Sequence, residues 1–152
     1  MRTIFDVMKI NAKYFDTLHI LAKDKIIFCD SESVIIDYLI LKANYTDKLP
    51  IAIVTEKSVL KNFIGELFYR IDAIPDGENN FDCQVHNSTV LKFDNGSFIM
   101  GVSDTTIHED LRGFSIQLLY IRKNAVINAS STSMLLASTN SSPSRLILHA
   151  GT

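Results

Sequence analysis

Short apolar runs alternate along the chain with longer stretches whose apolar positions recur every three or four residues. The short runs are KIIFC (25–29), LPIAIV (49–54), FSIQLLYI (114–121) and RLILHA (145–150). Each is rich in β-branched, aromatic or leucine residues and too short for a helix, which predicts four strands buried on both faces. The longer stretches predict helices. Residues 4–22 place Ile4, Val7, Met8, Phe15, Leu18 and Leu21 close to helical spacing. SVIIDYLILKANY (33–45) is apolar on most sides and follows Asp30 and Ser31, both good N-caps. In 55–71, Val59, Leu60, Phe63, Ile64, Leu67 and Phe68 make one stripe, with Lys57, Lys61 and Glu66 off it. SSTSMLLAST (130–139) predicts a short helix.

The spacing changes in the middle of the chain. VLKF and SFIMGV flank Asp94-Asn95-Gly96, the strongest hairpin signal present. A two-residue type I′ turn is expected there, with φ > 0 at both Asn95 and Gly96. PDGENN (75–80) reads as a loop, and SDTTIHED (103–110) as a polar loop or short helical turn. Strands alternating with helices predict an α/β fold: a mainly parallel sheet flanked by helices, with an antiparallel β-hairpin insertion. The strands at 26–29, 50–54, 116–121 and 145–149 are expected to share that sheet. Ligands in such sheets bind at the C-terminal strand ends, here 29–33, 54–56, 121–124 and 149–152.

Composition narrows this picture without redirecting it. The chain has 152 residues, which suits a single domain with a real core. It is 47% hydrophobic and 21% charged, within the globular range. A net charge of -2, from 15 basic and 17 acidic residues, gives no global pull toward nucleic acid, so any such contact needs a local patch. No apolar run is long enough to span a membrane, and MRTIFDVMKINAKYFD lacks the unbroken apolar core of a signal peptide. An intracellular location is therefore expected. Cys29 and Cys83 are expected to be reduced thiols, with Cys29 buried in its apolar run. The four His show no metal-ligand spacing, so no metal site is expected. Sequons at Asn44, Asn87, Asn95, Asn128 and Asn140 then reflect Asn/Ser richness.

Two strand ends carry candidate chemistry. A phosphate loop after the first strand needs G-x-x-x-x-G-K-[ST], and the chain offers CDSES there, with neither Gly nor Lys. Asp30 and Glu32 put carboxylates at the helix N-terminus, where they complement the helix dipole and repel a phosphate. The third strand ends in Arg122 and Lys123. Nucleoside triphosphate hydrolysis needs carboxylates near magnesium and the attacking water, and two cations at that place repel the metal.

LRGFSIQLLYIRKNAVI resembles the Walker B segment of the large terminase subunit, the DNA-packaging ATPase of tailed phages, most closely the myovirus type. That family runs Arg-Gly, a spacer, an apolar strand, Asp-Glu and a small residue. Arg112-Gly113, the strand to Ile121 and Ala125 match, while Arg122 and Lys123 stand in place of the acids. VLKFDNGSFIMG (90–101) resembles the family's hairpin, SRLILHAGT (144–152) its coupling-motif strand, and DKIIFCDSES (24–33) the strand entering Walker A with its Gly-Lys-Thr missing.

The resemblance implies a P-loop NTPase-like fold of viral origin: one degenerate ATPase-like domain over 1–152, in the host cytoplasm, without the lid and nuclease parts. It places Asp30, Ser31, Glu32 and Ser33 at the Walker A position and implies no cofactor and no catalytic residue. The expected role is non-catalytic binding of a protein partner, a packaging component or host factor. One alternative is a DNA-binding regulator using Arg112, Arg122, Lys123 and Arg145. Another is a packaging ATPase with an unorthodox site. Because the charge signs at the two segments are inverted, Arg122 or Lys123 is expected within salt-bridge reach of Asp30 or Glu32.

Overall fold

The computed structural model describes residues 26–28, 31–74, 83–139 and 146–149. The expectations for a helix over 4–22 and for Cys29, Asp30, the 75–80 loop and Arg145 fall outside these residues. The described chain runs β1 (Ile26–Phe28), α1 (Glu32–Tyr45), β2 (Pro50–Thr55), a 3-10 turn (Lys57–Val59), α2 (Leu60–Asp72) and β3 (Cys83–His86). It continues with β4 (Val90–Phe93), β5 (Phe98–Ser103), α3 (Ile107–Leu111), β6 (Leu118–Ile121), α4 (Ala129–Thr139) and β7 (Leu146–His149).

All seven strands join one sheet in the order β1-β7-β6-β2-β5-β4-β3. The first five in that order are parallel, and β4 and β3 are added antiparallel. The expected α/β architecture is therefore present, with the four anticipated strands in its parallel part. Period-two burial divides the sheet's faces. Ile51, Ile53, Leu118, Tyr120 and Ile99 pack under α1 and α2. Ala52, Val54, Leu119, Met100 and Val102 pack with Ile107, Leu111 and Leu135 of α3 and α4. Strands covered on both sides read as unbroken apolar runs, which is why β2 and β6 stand out in the sequence.

Contact between α2 and the sheet is close at Gly101. A Cβ there would lie 2.5 Å from Leu60 Cδ1 and 3.1 Å from Ile64 Cδ1. The missing side chain lets Leu60 and Ile64 pack directly onto the strand. Asp37 of α1, 1% exposed, is tied across to α2 by Arg70, whose Nε donates to Oδ1 at 2.6 Å. The buried carboxylate is paired with a half-buried guanidinium, as a buried carboxylate requires.

The hairpin is present, but its turn is not the expected one. Gly96 has φ +87° and Asn95 does not have positive φ. Gly96 N–H donates to Phe93 O at 3.1 Å, and Phe93 N–H donates to Ser97 O at 2.9 Å. This is a three-residue loop, a type I turn closed by a glycine bulge. The physical reason lies in the Asn95 side chain. Its Nδ2 donates to the carbonyls of Ala43 (2.8 Å), Asn44 (3.0 Å) and Thr46 (3.2 Å), while its Oδ1 accepts from Ser97 N–H (3.0 Å). The turn thus satisfies free carbonyls at the C-terminus of α1. Ser97 Oγ also donates to Thr46 O at 2.5 Å and accepts from Leu49 N–H at 2.9 Å.

Paired positive φ values occur instead one hairpin earlier, at Asn87 (52°) and Ser88 (61°) between β3 and β4. β3 itself was not anticipated: it is four residues long, with Cys83 half-buried and the other three exposed, so no periodicity marks it.

Candidate functional site at the C-terminal strand ends

Because β1, β7, β6, β2 and β5 are parallel, the ends of all five reach one edge of the sheet. Glu32, the first residue of α1, and Arg122, directly after β6, meet there. Arg122 Nε donates to Glu32 Oε2 at 2.8 Å, and Nη2 donates to Oε1 at 2.9 Å. This is a bidentate fork, the strongest form of arginine–carboxylate contact. The anticipated pairing is present, although β7 lies between β1 and β6 in the sheet.

Three further residues, none singled out for chemistry from the sequence, complete the arrangement. Tyr120 Oη donates to Glu32 Oε2 at 2.6 Å. Arg122 Nη1 donates to Thr55 Oγ1 at 3.0 Å. The guanidinium carbon lies 3.9 Å from the centroid of the Phe63 ring, a cation–π contact. The available signals were positional: Thr55 closes the LPIAIV run, Tyr120 faces α1 by strand alternation, and Phe63 belongs to the stripe of α2. Arg122 N–H also donates to Val54 O at 3.0 Å, fixing the backbone that aims the side chain.

Electrostatics follow from this geometry. Burial pushes the Glu32 carboxyl up, but hydrogen bonds from Arg122 and Tyr120 and the guanidinium charge outweigh it. The net shift is below the ordinary carboxylate value. Arg122 is pushed down by burial and more strongly up by its bonds to Glu32 and by that charge, so it stays cationic. Tyr120 is raised first by burial and then by the adjacent carboxylate, so it stays a phenol and a donor.

The other singled-out residues are dispersed. Ser31 is the N-cap of α1 but makes no side-chain cap bond; its Oγ lies 3.3 Å from Ser33 Oγ. Lys123 and Arg112 are exposed. Among the described residues Lys123 has no ion-pair partner, and no cluster of three metal-ligating side chains occurs. Beside the ion pair, a cavity of about 290 Å³ remains between α1 and α2, bounded by Glu32, Ile36, Phe63, Glu66 and Arg70. That is near the lower limit, roughly 300 Å³, of small-molecule sites.

An open, mainly parallel sheet with helices on both faces and loops converging at one edge is an open α/β fold, and its arrangement matches the P-loop NTPase-like fold of its structural neighbours. Within that class the chain is similar to large terminases. The ATPase domain of the Thermus phage P74-26 large terminase superposes with a TM-score of 0.65 at 13% identity, covering 84% of this chain and 59% of that one. An arginine-to-alanine mutant of that domain gives 0.66 at 12% identity, with the same coverage. The large terminase of the thermophilic bacteriophage D6E gives 0.61 at 10% identity, covering 82% and 32%. The chain thus spans between about a third and three fifths of these proteins. At these identities the likeness is one of fold. No family model and no curated protein sequence matches the chain. No helix among the described residues is long and apolar enough to cross a membrane.

Proposed function

We propose that this chain is a non-catalytic protein with the terminase ATPase fold, acting by binding a protein partner in viral packaging or in the host. The observation that supports it is the bidentate Glu32–Arg122 pair. The sequence resemblance assigns Glu32 to the family's phosphate-binding loop and Arg122 to its magnesium-holding acids, and here the two are bonded to each other. Each satisfies the other. Glu32 repels the anion that a helix N-terminus there would attract, and Arg122 repels the metal. Every guanidinium nitrogen is already engaged, by Glu32 and Thr55. That same engagement weighs against a DNA-binding role for Arg122.

Calorimetry with magnesium-ATP tests the reading, and no saturable heat and no phosphate release are expected. Turnover that survives repurification and disappears in Arg122→Ala overturns it. For the partner, capture from infected-cell extract with the intact protein is expected to return a packaging or host protein. A DNA shift that weakens steeply with salt favours the regulator instead.

A further inference from the structure

A second crevice opens at the same edge, beside the end of β5, between the start of α2, the start of β4 and α3. After β2 the chain crosses to the face covered by α2, and after β5 it crosses to the face covered by α3. Adjacent parallel strands whose connections leave to opposite faces leave a gap between their ends, and this is where α/β sheets take up ligands. Beside that point, where β5 runs on past its last β4 partner, lies a groove of about 580 Å³, well inside the size range of ligand sites.

Its lining has a definite chemistry. Leu60, Val90 and Gly101 contribute an apolar floor, and the missing side chain at Gly101 keeps α2 close to the strand. Lys57 and Lys61 stand on one wall, four residues apart and so on one face of the turn leading into α2. Both are exposed, and neither is ion-paired among the described residues. Two like charges at this spacing repel unless an anion sits between them. Asp110 on the opposite wall is the one acid lining the groove among the described residues, and it already accepts a hydrogen bond from Thr106 Oγ1 at 2.8 Å. Ser58 and Asn62 add neutral donors beside the lysines.

We infer that this groove binds a small organic anion, a phosphoryl or carboxylate group on an apolar body, with Lys57 and Lys61 holding the charge and the Leu60–Val90–Gly101 floor taking the body. The inference is independent of whether the Glu32–Arg122 site admits nucleotide, because the two share no residue.

Amide-resolved NMR titration of the whole chain with phenyl phosphate tests it. Saturable shifts are expected at Lys57, Lys61, Asn62, Gly101 and Thr106. In Lys57→Glu/Lys61→Glu, whose side chains are exposed and whose fold circular dichroism checks, binding is expected to weaken on the order of tenfold or more. Inorganic phosphate is expected to bind more weakly than phenyl phosphate, since it cannot use the floor. No saturation at millimolar phenyl phosphate overturns the site. So does equal binding by the double variant, or stronger binding of benzylammonium. Shifts centred on Thr55 and Arg122 instead would assign the anion to the other crevice and refute this one.

Discussion

The two ends of α1 are both anchored to distant parts of the chain, but by opposite chemistry. At its N-terminus Glu32 is held by a charge, Arg122, ninety residues away in sequence, with side chains 36% and 23% exposed. At its C-terminus the carbonyls of Ala43, Asn44 and Thr46 are held by the neutral Asn95 amide, backed by Ser97, which is 1% exposed. A half-exposed ion pair contributes little stability, because water and salt compete for both partners. The neutral amide bonds, though only part-buried, contribute more when lost than when made, because their carbonyls are then left unsatisfied. The hairpin end therefore holds the fold, while the charged end shapes a site.

Four expectations test this contrast, the largest first. Asn95→Ala removes a side chain that donates to all three of these carbonyls, and about 2–3 kcal/mol of unfolding free energy is expected to disappear in urea denaturation. A loss below that of Arg122→Ala reverses the contrast. Gly96→Val places a branched residue at φ +87° with its Cβ 3.1 Å from Lys48 Cγ. About 1–2 kcal/mol of destabilisation is expected, and a variant that melts like the parent shows that the loop adopts another turn.

Arg122→Ala is expected to cost only about 0.5–1 kcal/mol. A double-mutant cycle with Glu32→Gln isolates the pair. A coupling several times larger would make the charged end structural after all. The smallest effect is on pH dependence. The folded Glu32 pKa lies below its ordinary value of 4.5, so the stability it contributes is present above that pH and is lost as pH falls through the lower folded value. Glu32→Gln is expected to flatten this acid limb. An unchanged limb means that other carboxylates carry it.

Much of this was legible in the sequence, for identifiable reasons. β2 and β6 show as apolar runs because both faces are buried. The Glu32–Arg122 pair was legible because the two strand ends carry charge of opposite sign. The type of the 94–96 turn was not, because Asn95 is spent on α1, 51 residues away at Asn44, and local turn preference cannot register a tertiary partner. Thr55, Tyr120 and Phe63 were hidden for the same reason: each looks like an ordinary strand or stripe residue until the guanidinium arrives.

The position of β7 has a consequence for the order of assembly. β1 is a three-residue strand, and its partner in the sheet is β7, with Ile26 opposite Ile147. During synthesis β1 emerges long before β7 and cannot pair until β7 has followed. β2, β5 and β6 meanwhile have each other, through registers from Pro50 to Ser103 and Ile51 to Ile121. Contacts of such long sequence separation form late and slowly. The sheet should therefore grow from β2 outward, with β1 and β7 docking last and opening first. Hydrogen exchange is expected to show it, with the amides of β1 exchanging through local opening well before those of β2.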